Sequence, residues 1–177
     1  MKKTILILTM IIASVVSANA QPPEGFQFGA GIRLALPIGD FSETHSFGVG
    51  VEAQGEYGFS DNFSAIITSG YSSFFGKEET IFGVTVEYES VGLIPLIAGV
   101  RVYPSSNIFI GAQAGLGILT GNNDSETAFM YQPQVGFSTE NFQIALNYNG
   151  LSKDNSTLSH IGLTAIYKFG GGGSAKK

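Results

Sequence analysis

Apolar and polar residues alternate with a period of two through most of the chain after its first twenty residues. In the run 26–36, one face is wholly apolar, whereas the other carries Gly, Gln, Arg and Ala. Successive side chains of a strand point to opposite faces of its sheet, so this pattern predicts strands rather than helices. The apolar face of this run consists of Phe26, Phe28, Ala30, Ile32, Leu34 and Leu36.

Turn-forming residues divide the alternating sequence into eight runs. Tight polar turns are expected at 60–62, 104–107 and 138–141, and longer, more charged loops at 39–46, 76–82, 121–126 and 150–158. Pro95 and Pro133 fall inside strands, where proline removes a ladder donor, so we expect β-bulges there. The predicted strands are 26–36, 48–59, 63–75, 84–103, 108–119, 128–137, 142–149 and 159–169.

The first twenty residues form a secretory signal peptide by pattern. Lys2 and Lys3 precede an apolar run over residues 5–16, and Ala18 and Ala20 supply an A-x-A cleavage site. The apolar run is twelve residues long, shorter than the roughly 20 that span a bilayer as a helix. We therefore expect a cleaved signal over 1–20, one barrel domain over 21–169, and a flexible Gly-rich tail over 170–177.

The charge and the residue composition of the chain exclude several classes of protein. Residues 21–177 carry 7 basic against 14 acidic side chains, a poor basis for neutralising nucleic-acid phosphates. Charged residues make up 13% of the chain, about half the share in soluble domains, and Phe plus Tyr number 21. The chain has no Cys, which excludes disulfides and a lipidated cysteine. No motif for a cofactor, a nucleotide or a metal ion is present, so none is expected.

Two eight-stranded barrels fit these strands, and their faces point in opposite directions. A soluble lipocalin-like barrel turns its apolar face inward around a ligand, whereas a membrane barrel turns it outward toward lipid. The apolar face is almost free of charge in every strand, and the polar face is rich in Gly, Gln and Asn. These features favour an all-β, antiparallel, up-and-down transmembrane barrel, with the soluble barrel as the alternative.

Aromatic residues collect where strands meet turns, as in the interfacial girdles of membrane barrels. Aromatics also favour strands in general, but that preference would not place them at strand ends. Six flank the three tight turns and are predicted to form a girdle at one rim: Phe59, Phe63, Tyr103, Phe109, Phe137 and Phe142. Candidates for the second girdle are Tyr71, Phe75, Tyr88, Phe129, Tyr131 and Tyr148.

The last strand ends on an aromatic residue. Tyr167 and Phe169 share its apolar face, and this pattern resembles the terminal signature that the barrel-insertion machinery recognises in outer-membrane barrels. With the signal peptide, the strand count and the turn asymmetry, residues 21–169 resemble the small eight-stranded outer-membrane β-barrel family of the OmpA/OmpX type. The resemblance implies the fold and a place in the outer membrane of a Gram-negative bacterium, and it leaves the activity open. The tail 170–177 departs from the pattern.

The phase of the strands predicts which charges point inward. We expect Arg33 and Arg101 to pair with some of the inward glutamates, because an unpaired charge in a low-dielectric lumen costs several kcal/mol or so. Such pairs would fill the barrel, whose eight strands leave little free width, and the alternative is a gated, narrow ion path. The predicted lumen charges are Arg33, Glu52, Glu56, Glu87, Glu89, Arg101 and Lys168.

A structural or surface-interaction role is the expectation, and a lipid-modifying enzyme is the rival from another class. Catalysis needs a nucleophile beside a general base, and the chain has only His45, near Ser42, Thr44 and Ser46, and His160, beside Ser159. The expected partners are outer-membrane lipid and the insertion machinery, for a chain that acts as a monomer. Acids in the long loops, such as Asp40 and Glu43, could also meet lipopolysaccharide through divalent cations or bind a surface partner.

Overall fold

The computed structural model describes residues 25–60, 62–81, 84–121, 124–154 and 156–169. The predicted signal peptide and the Gly-rich tail lie outside these residues. Within them, no helix is long and apolar enough to cross a membrane. The elements are β1 (Gly25–Ile38), α1 (Phe41–Thr44), β2 (His45–Ser60), β3 (Phe63–Gly76), β4 (Glu78–Ile81), β5 (Val84–Glu87), β6 (Val91–Ser105), β7 (Ile108–Thr120), β8 (Ser125–Ser138), β9 (Phe142–Lys153) and β10 (Ser156–Phe169).

Eight of these strands close into an antiparallel, up-and-down barrel in the order β1-β2-β3-β6-β7-β8-β9-β10, as the alternation predicts. The stagger of the strands is the number of residues by which β1 is displaced when register partners are followed once around the barrel. The path runs from Phe28 through Gly55, Ile67, Ala98, Ala114, Tyr131, Gly150 and Ser159 to Ile38, ten residues further along β1. Such a stagger tilts the strands, and eight tilted strands leave an interior that side chains can fill.

The faces of the strands separate as the sequence predicts. Outward side chains are large and apolar, for example Ile32, Val51 and Leu163, and remain about half exposed. Inward side chains on the same strands are buried, including Arg33, Glu52 and Thr164. An apolar outside with a filled inside is the arrangement of a transmembrane barrel, so the inside-out soluble alternative does not describe this fold.

The two ends of the barrel differ. At one end, called the turn end here, both barrel termini lie beside the connections that follow Ser60, Ser105 and Ser138. The opposite end, called the loop end, carries α1 and the hairpin β4–β5. The loop predicted at 150–158 is shorter than expected, because β9 and β10 continue to Lys153 and from Ser156 and meet at a tight turn. Asp154 in that turn has a φ of 46°, in the left-handed region.

The predicted fourth strand, 84–103, is not one strand. The chain leaves the barrel after Gly76, folds back on itself as β4 and β5, and re-enters the barrel at Val91. β4 and β5 form a separate two-stranded sheet that does not join the closed barrel sheet. Alternation alone could not show this break, because a hairpin outside the barrel has the same period as a barrel strand.

The prolines do not mark bulges. The register of β6 with β7 runs through Pro95 without a shift, and that of β7 with β8 runs through Pro133. Each proline instead interrupts pairing with the other neighbour, β3 or β9, and the register resumes unchanged beyond it. Register shifts occur near strand ends, for example between Val102 and Ser105. Each proline therefore lacks the backbone N–H for one hydrogen bond of the ladder, but no extra residue is inserted into its strand.

Candidate functional site

The lumen near the turn end is organised around Arg101. Its Nη1 donates to Glu56 Oε2 at 2.6 Å and to Gln143 Oε1 at 2.9 Å, and its Nη2 donates to Gln54 at 3.2 Å and Gln134 at 3.3 Å. The guanidinium also lies 4.3 Å from the centre of the Phe109 ring. Arg101 is 1% exposed, so these partners take the place of water at Nη1 and Nη2, whereas its Nε makes no hydrogen bond to the described residues.

Glu56 is the counter-ion of this network and accepts from two further donors. Ser64 Oγ donates to Glu56 Oε1 at 2.6 Å, and the Tyr103 hydroxyl donates to the same oxygen. Gln54 and Gln143 bond reciprocally across the lumen at 3.1 and 3.2 Å. Strands β2, β3, β6 and β9 thus meet through side chains, and the lumen at this level is filled.

A second ion pair lies nearer the middle of the barrel. Arg33 Nη2 donates to Glu52 Oε2 and to Gln132 Oε1, the latter at 3.0 Å, and Nη1 donates to Asn149 at 3.4 Å. Both Arg33 and Glu52 are buried. The third lumen cation, Lys168, is buried near the turn end and donates to Ser138 Oγ at 2.8 Å.

Two of the four predicted lumen acids, Glu87 and Glu89, do not lie on strands of the barrel. Glu87 ends β5, which pairs only with β4 outside the barrel. Glu89 is exposed in the segment between β5 and β6. The prediction placed both in the lumen because it took residues 84–90 as part of a barrel strand. Among the described residues, the buried charges inside the barrel are therefore Arg33, Arg101 and Lys168 against Glu52 and Glu56.

The lumen near the loop end is apolar, whereas the alternation of the strands predicts a polar interior along the whole barrel. Large side chains from several strands pack there, and Gly48 leaves space for the Phe74 ring, since a Cβ would lie 2.7 Å from it. A signal was present: several inward positions near loops are apolar. The cluster, called the apolar seal here, consists of Ala35, Phe41, Phe74, Leu93, Ile97, Ala128, Met130 and Leu151, with Leu119 and Leu158 partly buried against it.

The short helix α1 contributes one side chain to the apolar seal. Phe41 is 4% exposed and packs against Phe74, with ring centres 5.0 Å apart. Lys77 holds the helix from the other side: its Nζ donates to the Ser42 carbonyl at 2.6 Å, and its backbone N–H donates to the Thr44 carbonyl at 2.8 Å. The first loop therefore folds over the mouth of the barrel and inserts Phe41 into it.

Between the polar network and the apolar seal, buried polar atoms lack partners. Within the described part of the chain, Thr68 Oγ1, Asn147 Nδ2 and both amide atoms of Gln113 make no hydrogen bond. These residues lie near the middle of β3, β9 and β7. Buried polar groups are normally satisfied by protein or water, so this level is suited to ordered water.

The two histidines lie at the loop end but in different surroundings. His45 Nδ1 lies 2.8 Å from Thr44 Oγ1, and the His45 ring packs on Phe41. His160 is fully buried against Phe74, and neither of its ring nitrogens has a partner among the described residues. Ser159, its neighbour in sequence, instead bonds to the Tyr148 hydroxyl at 2.8 Å. Within the described residues no group of three or more His, Asp or Glu side chains could hold a metal ion.

The rim of the turn end carries fewer outward aromatics than predicted. Phe59, Phe63 and Phe142 are exposed, and Phe137 is half-buried. Tyr103 and Phe109 are not part of a girdle, because both are buried inside the barrel, where they pack on each other 5.8 Å apart. The strict alternation of β6 and β7 places them on the inward face with Arg101, and proximity to a turn does not override that phase.

The terminal strand β10 presents its aromatic residues to the outside. Tyr167 and Phe169 are about half exposed, and their ring centres lie 5.1 Å apart. Tyr167 also contacts Phe142 of β9 at 5.1 Å. Pairing of β10 with β1 closes the barrel, with Phe28 opposite Phe169.

A closed eight-stranded barrel with a lipid-compatible outside and a filled, charged inside defines the class of small outer-membrane β-barrels. The chain belongs to the outer membrane protein beta-barrel domain family, whose sequence profile matches residues 5–169. Its place is therefore the outer membrane. No curated protein matches the sequence.

Solved structures share the fold at low sequence identity. Ail, the attachment invasion locus protein of Yersinia pestis, superposes with a TM-score of 0.56 at 16% identity, covering 82% of this chain and 99% of Ail. The N-terminal β-barrel domain of Pseudomonas aeruginosa OprF gives 0.53 at 13% identity, covering 84% and 100%. Neisserial surface protein A gives 0.51 at 13%, covering 83% and 97%. At these identities the likeness shows the fold alone.

Proposed function

We propose that this protein is a monomeric, closed outer-membrane barrel whose role is structural or lies in surface interaction. The observation that carries the proposal is the filled lumen. Arg101 and Arg33 are each held by several side chains from opposite walls, and the loop end is closed by packed apolar groups. A barrel of this kind offers no wide aqueous passage, so its accessible chemistry lies at its ends and its lipid-facing surface.

The loop end is the surface that would meet partners outside the cell. In this class of barrel both termini and the short turns face the periplasm, and the longer connections face outward. The hairpin β4–β5 lies outside the barrel sheet at that end, and helix α1 covers the mouth of the barrel. A structure of Ail in complex with the heparin analogue sucrose octasulfate, with a TM-score of 0.52 at 17% identity, supports surface recognition as a role for such a scaffold. Lipopolysaccharide or another surface molecule is the proposed partner class.

Export and assembly are proposed to depend on residues 1–20 and on the strand that ends at Phe169. Lys2, Lys3 and the A-x-A site at Ala18–Ala20 would direct the chain across the inner membrane of a Gram-negative cell and be removed. The outward pair Tyr167 and Phe169 would then present the terminal strand to the insertion machinery.

The proposal assigns no catalytic activity. A nucleophile must lie within hydrogen-bond reach of its general base, and Ser159 is bonded to Tyr148 rather than to His160. His45 contacts Thr44, but its ring also packs on Phe41 at the mouth of the barrel. Among the described residues, His45 thus has a hydroxyl within hydrogen-bond reach and His160 has none, so the absence of catalysis is proposed from the family and the filled lumen rather than from the histidines.

Cell fractionation with heat-modifiable gel mobility tests the proposal. The protein should remain with the outer membrane, and its unheated form should migrate faster than its boiled form, because the closed barrel resists detergent. Recovery in the soluble periplasm would overturn the placement. A large, stable conductance of the purified protein in planar bilayers would overturn the filled lumen.

A further inference from the structure

Two hairpins of the barrel separate from each other at the loop end. β7 and β8 stay paired to the last residue before their connection, and so do β9 and β10. The register between the two hairpins ends earlier, because β8 and β9 have no paired residues beyond Phe129 and Ser152. A cleft therefore opens between the two hairpin tips.

A cavity of about 280 Å³ lies in this cleft. Half of its lining is apolar and belongs to the apolar seal: Ala128 and Leu151 are buried members of that cluster, and Leu119 and Leu158 pack against it. Pockets for small molecules typically enclose about 300–1,000 Å³, so this cavity has room for one small molecule. The packed seal beneath it gives such a molecule an apolar surface to rest on.

The other half of the lining is polar and carries an excess of negative charge. Glu126 Oε1 of β8 lies 3.2 Å from Lys153 Nζ of β9, so these two charges balance each other across the cleft. Asp154 also lines the cavity and has no ion-pair partner among the described residues. Other connections at this end add acids, such as Asp40 and Asp124. The charge around the cavity therefore attracts cations and repels anions.

We propose that this cavity binds a small amphipathic organic cation, with its hydrocarbon part on the apolar lining and its ammonium or guanidinium group at Asp154. Contact with the apolar lining removes hydrocarbon from water, which a cation without an apolar body cannot gain. An anion of the same size would lie beside the Asp154 carboxylate and be repelled. This inference deepens the proposed role in surface interaction and rests on the outward orientation of the loop end.

Protection of a single thiol from labelling tests the site on full-length protein in intact cells. The chain has no Cys, and Ser156→Cys places one thiol in the lining of the cavity. Benzyltrimethylammonium, an aromatic cation, should slow labelling of this thiol by a membrane-impermeant maleimide severalfold. Phenylacetate, an aromatic anion, and tetramethylammonium, a cation without the ring, should not slow it.

Thr157→Cys is the matched control, because Thr157 is exposed on the next position of β10 and does not line the cavity. Its labelling rate should be the same with and without benzyltrimethylammonium. Three results would overturn the proposal: no protection of Ser156→Cys, equal protection at both positions, or equal protection by phenylacetate.

Asp154→Asn, combined with Ser156→Cys, tests the carboxylate. Asp154 has a φ of 46°, and asparagine adopts this left-handed conformation readily, so the turn should persist. Protection by benzyltrimethylammonium should be lost in this variant but kept with Asp124→Asn, which removes the same charge from the neighbouring hairpin tip outside the lining. Equal loss in both variants would contradict a site at Asp154. Labelling is compared only in protein with normal heat-modifiable mobility, since loss from the outer membrane would count against the placement instead.

Discussion

At the scale of single residues, the lumen shows how buried charge is tolerated in this fold. Arg101 reaches carboxylate and amide oxygens from β2, β8 and β9 at once, so its positive charge is spread over several acceptors. Exchange of one acceptor leaves the others in place, but loss of Glu56 removes the only charge that neutralises it within salt-bridge distance in the described structure. Removing one partner of this ion pair should therefore cost more stability than the intact pair contributes.

Glu56→Gln should lower the free energy of unfolding by about 3 kcal/mol, because it leaves the Arg101 guanidinium buried and uncompensated. Urea titration of the refolded barrel in phospholipid vesicles would measure it. Glu126→Gln is the control, since Glu126 pairs with Lys153 at 3.2 Å on an exposed surface and should change stability by about 1 kcal/mol or less. The double variant Glu56→Gln, Arg101→Gln should recover much of the loss; a larger loss than in the single variant would contradict the pairing.

At the scale of elements, the terminal strand combines closure of the barrel with the predicted insertion signal. Phe169→Ser should reduce the amount of protein assembled in the outer membrane severalfold in cells, as judged by heat-modifiable mobility. Refolding of the purified variant into detergent should be nearly unchanged, because the Phe169 ring lies half exposed on the outside.

The control for that variant is Phe59→Ser, an exposed aromatic near the same rim but on β2. It should assemble normally if the terminal strand itself is recognised. Equal assembly defects in both variants would assign the effect to the interfacial aromatics in general.

The hairpin β4–β5 should be dispensable for folding, because neither of its strands joins the barrel sheet. Replacement of residues 79–87 by a short Gly-Ser turn keeps Lys77 and Tyr88, whose backbone bond of 2.9 Å closes the base of the hairpin. The shortened chain should retain heat-modifiable mobility and change its unfolding midpoint little. Failure to assemble would show that the hairpin stabilises the barrel.

These elements also show what the sequence could and could not predict. Period two identified the eight barrel strands and their outward faces, because lipid demands an apolar side on every strand. It could not separate the hairpin from the wall, since both alternate. It also could not place the apolar seal, because an inward Phe74 or Met130 obeys the same phase as an inward Gln. Apolar residues at inward positions near the loops were a signal for this end of the lumen, but the packing between distant strands and the insertion of Phe41 from α1 could not be read from a local pattern.

At the scale of the whole molecule, the outward position of the apolar faces can be tested directly, because lipid surrounds a membrane barrel and water surrounds a soluble one. Ile32 lies near the middle of β1 and is 59% exposed on the outside. In a bilayer, Ile32→Lys places an ammonium near the hydrocarbon centre and should cost about 2–4 kcal/mol in unfolding experiments in vesicles. In water the same lysine would be solvated and nearly neutral.

Ser60→Lys provides the matched comparison, because Ser60 is exposed at the end of β2, at the rim of the turn end. A lysine there lies at the level of lipid headgroups, where a positive charge costs about 0–1 kcal/mol. The difference between the two variants therefore measures the depth of the surrounding apolar medium rather than the general effect of added charge. Equal, small effects in vesicles would mean that the outer face does not contact hydrocarbon, and the membrane orientation of the barrel would be wrong.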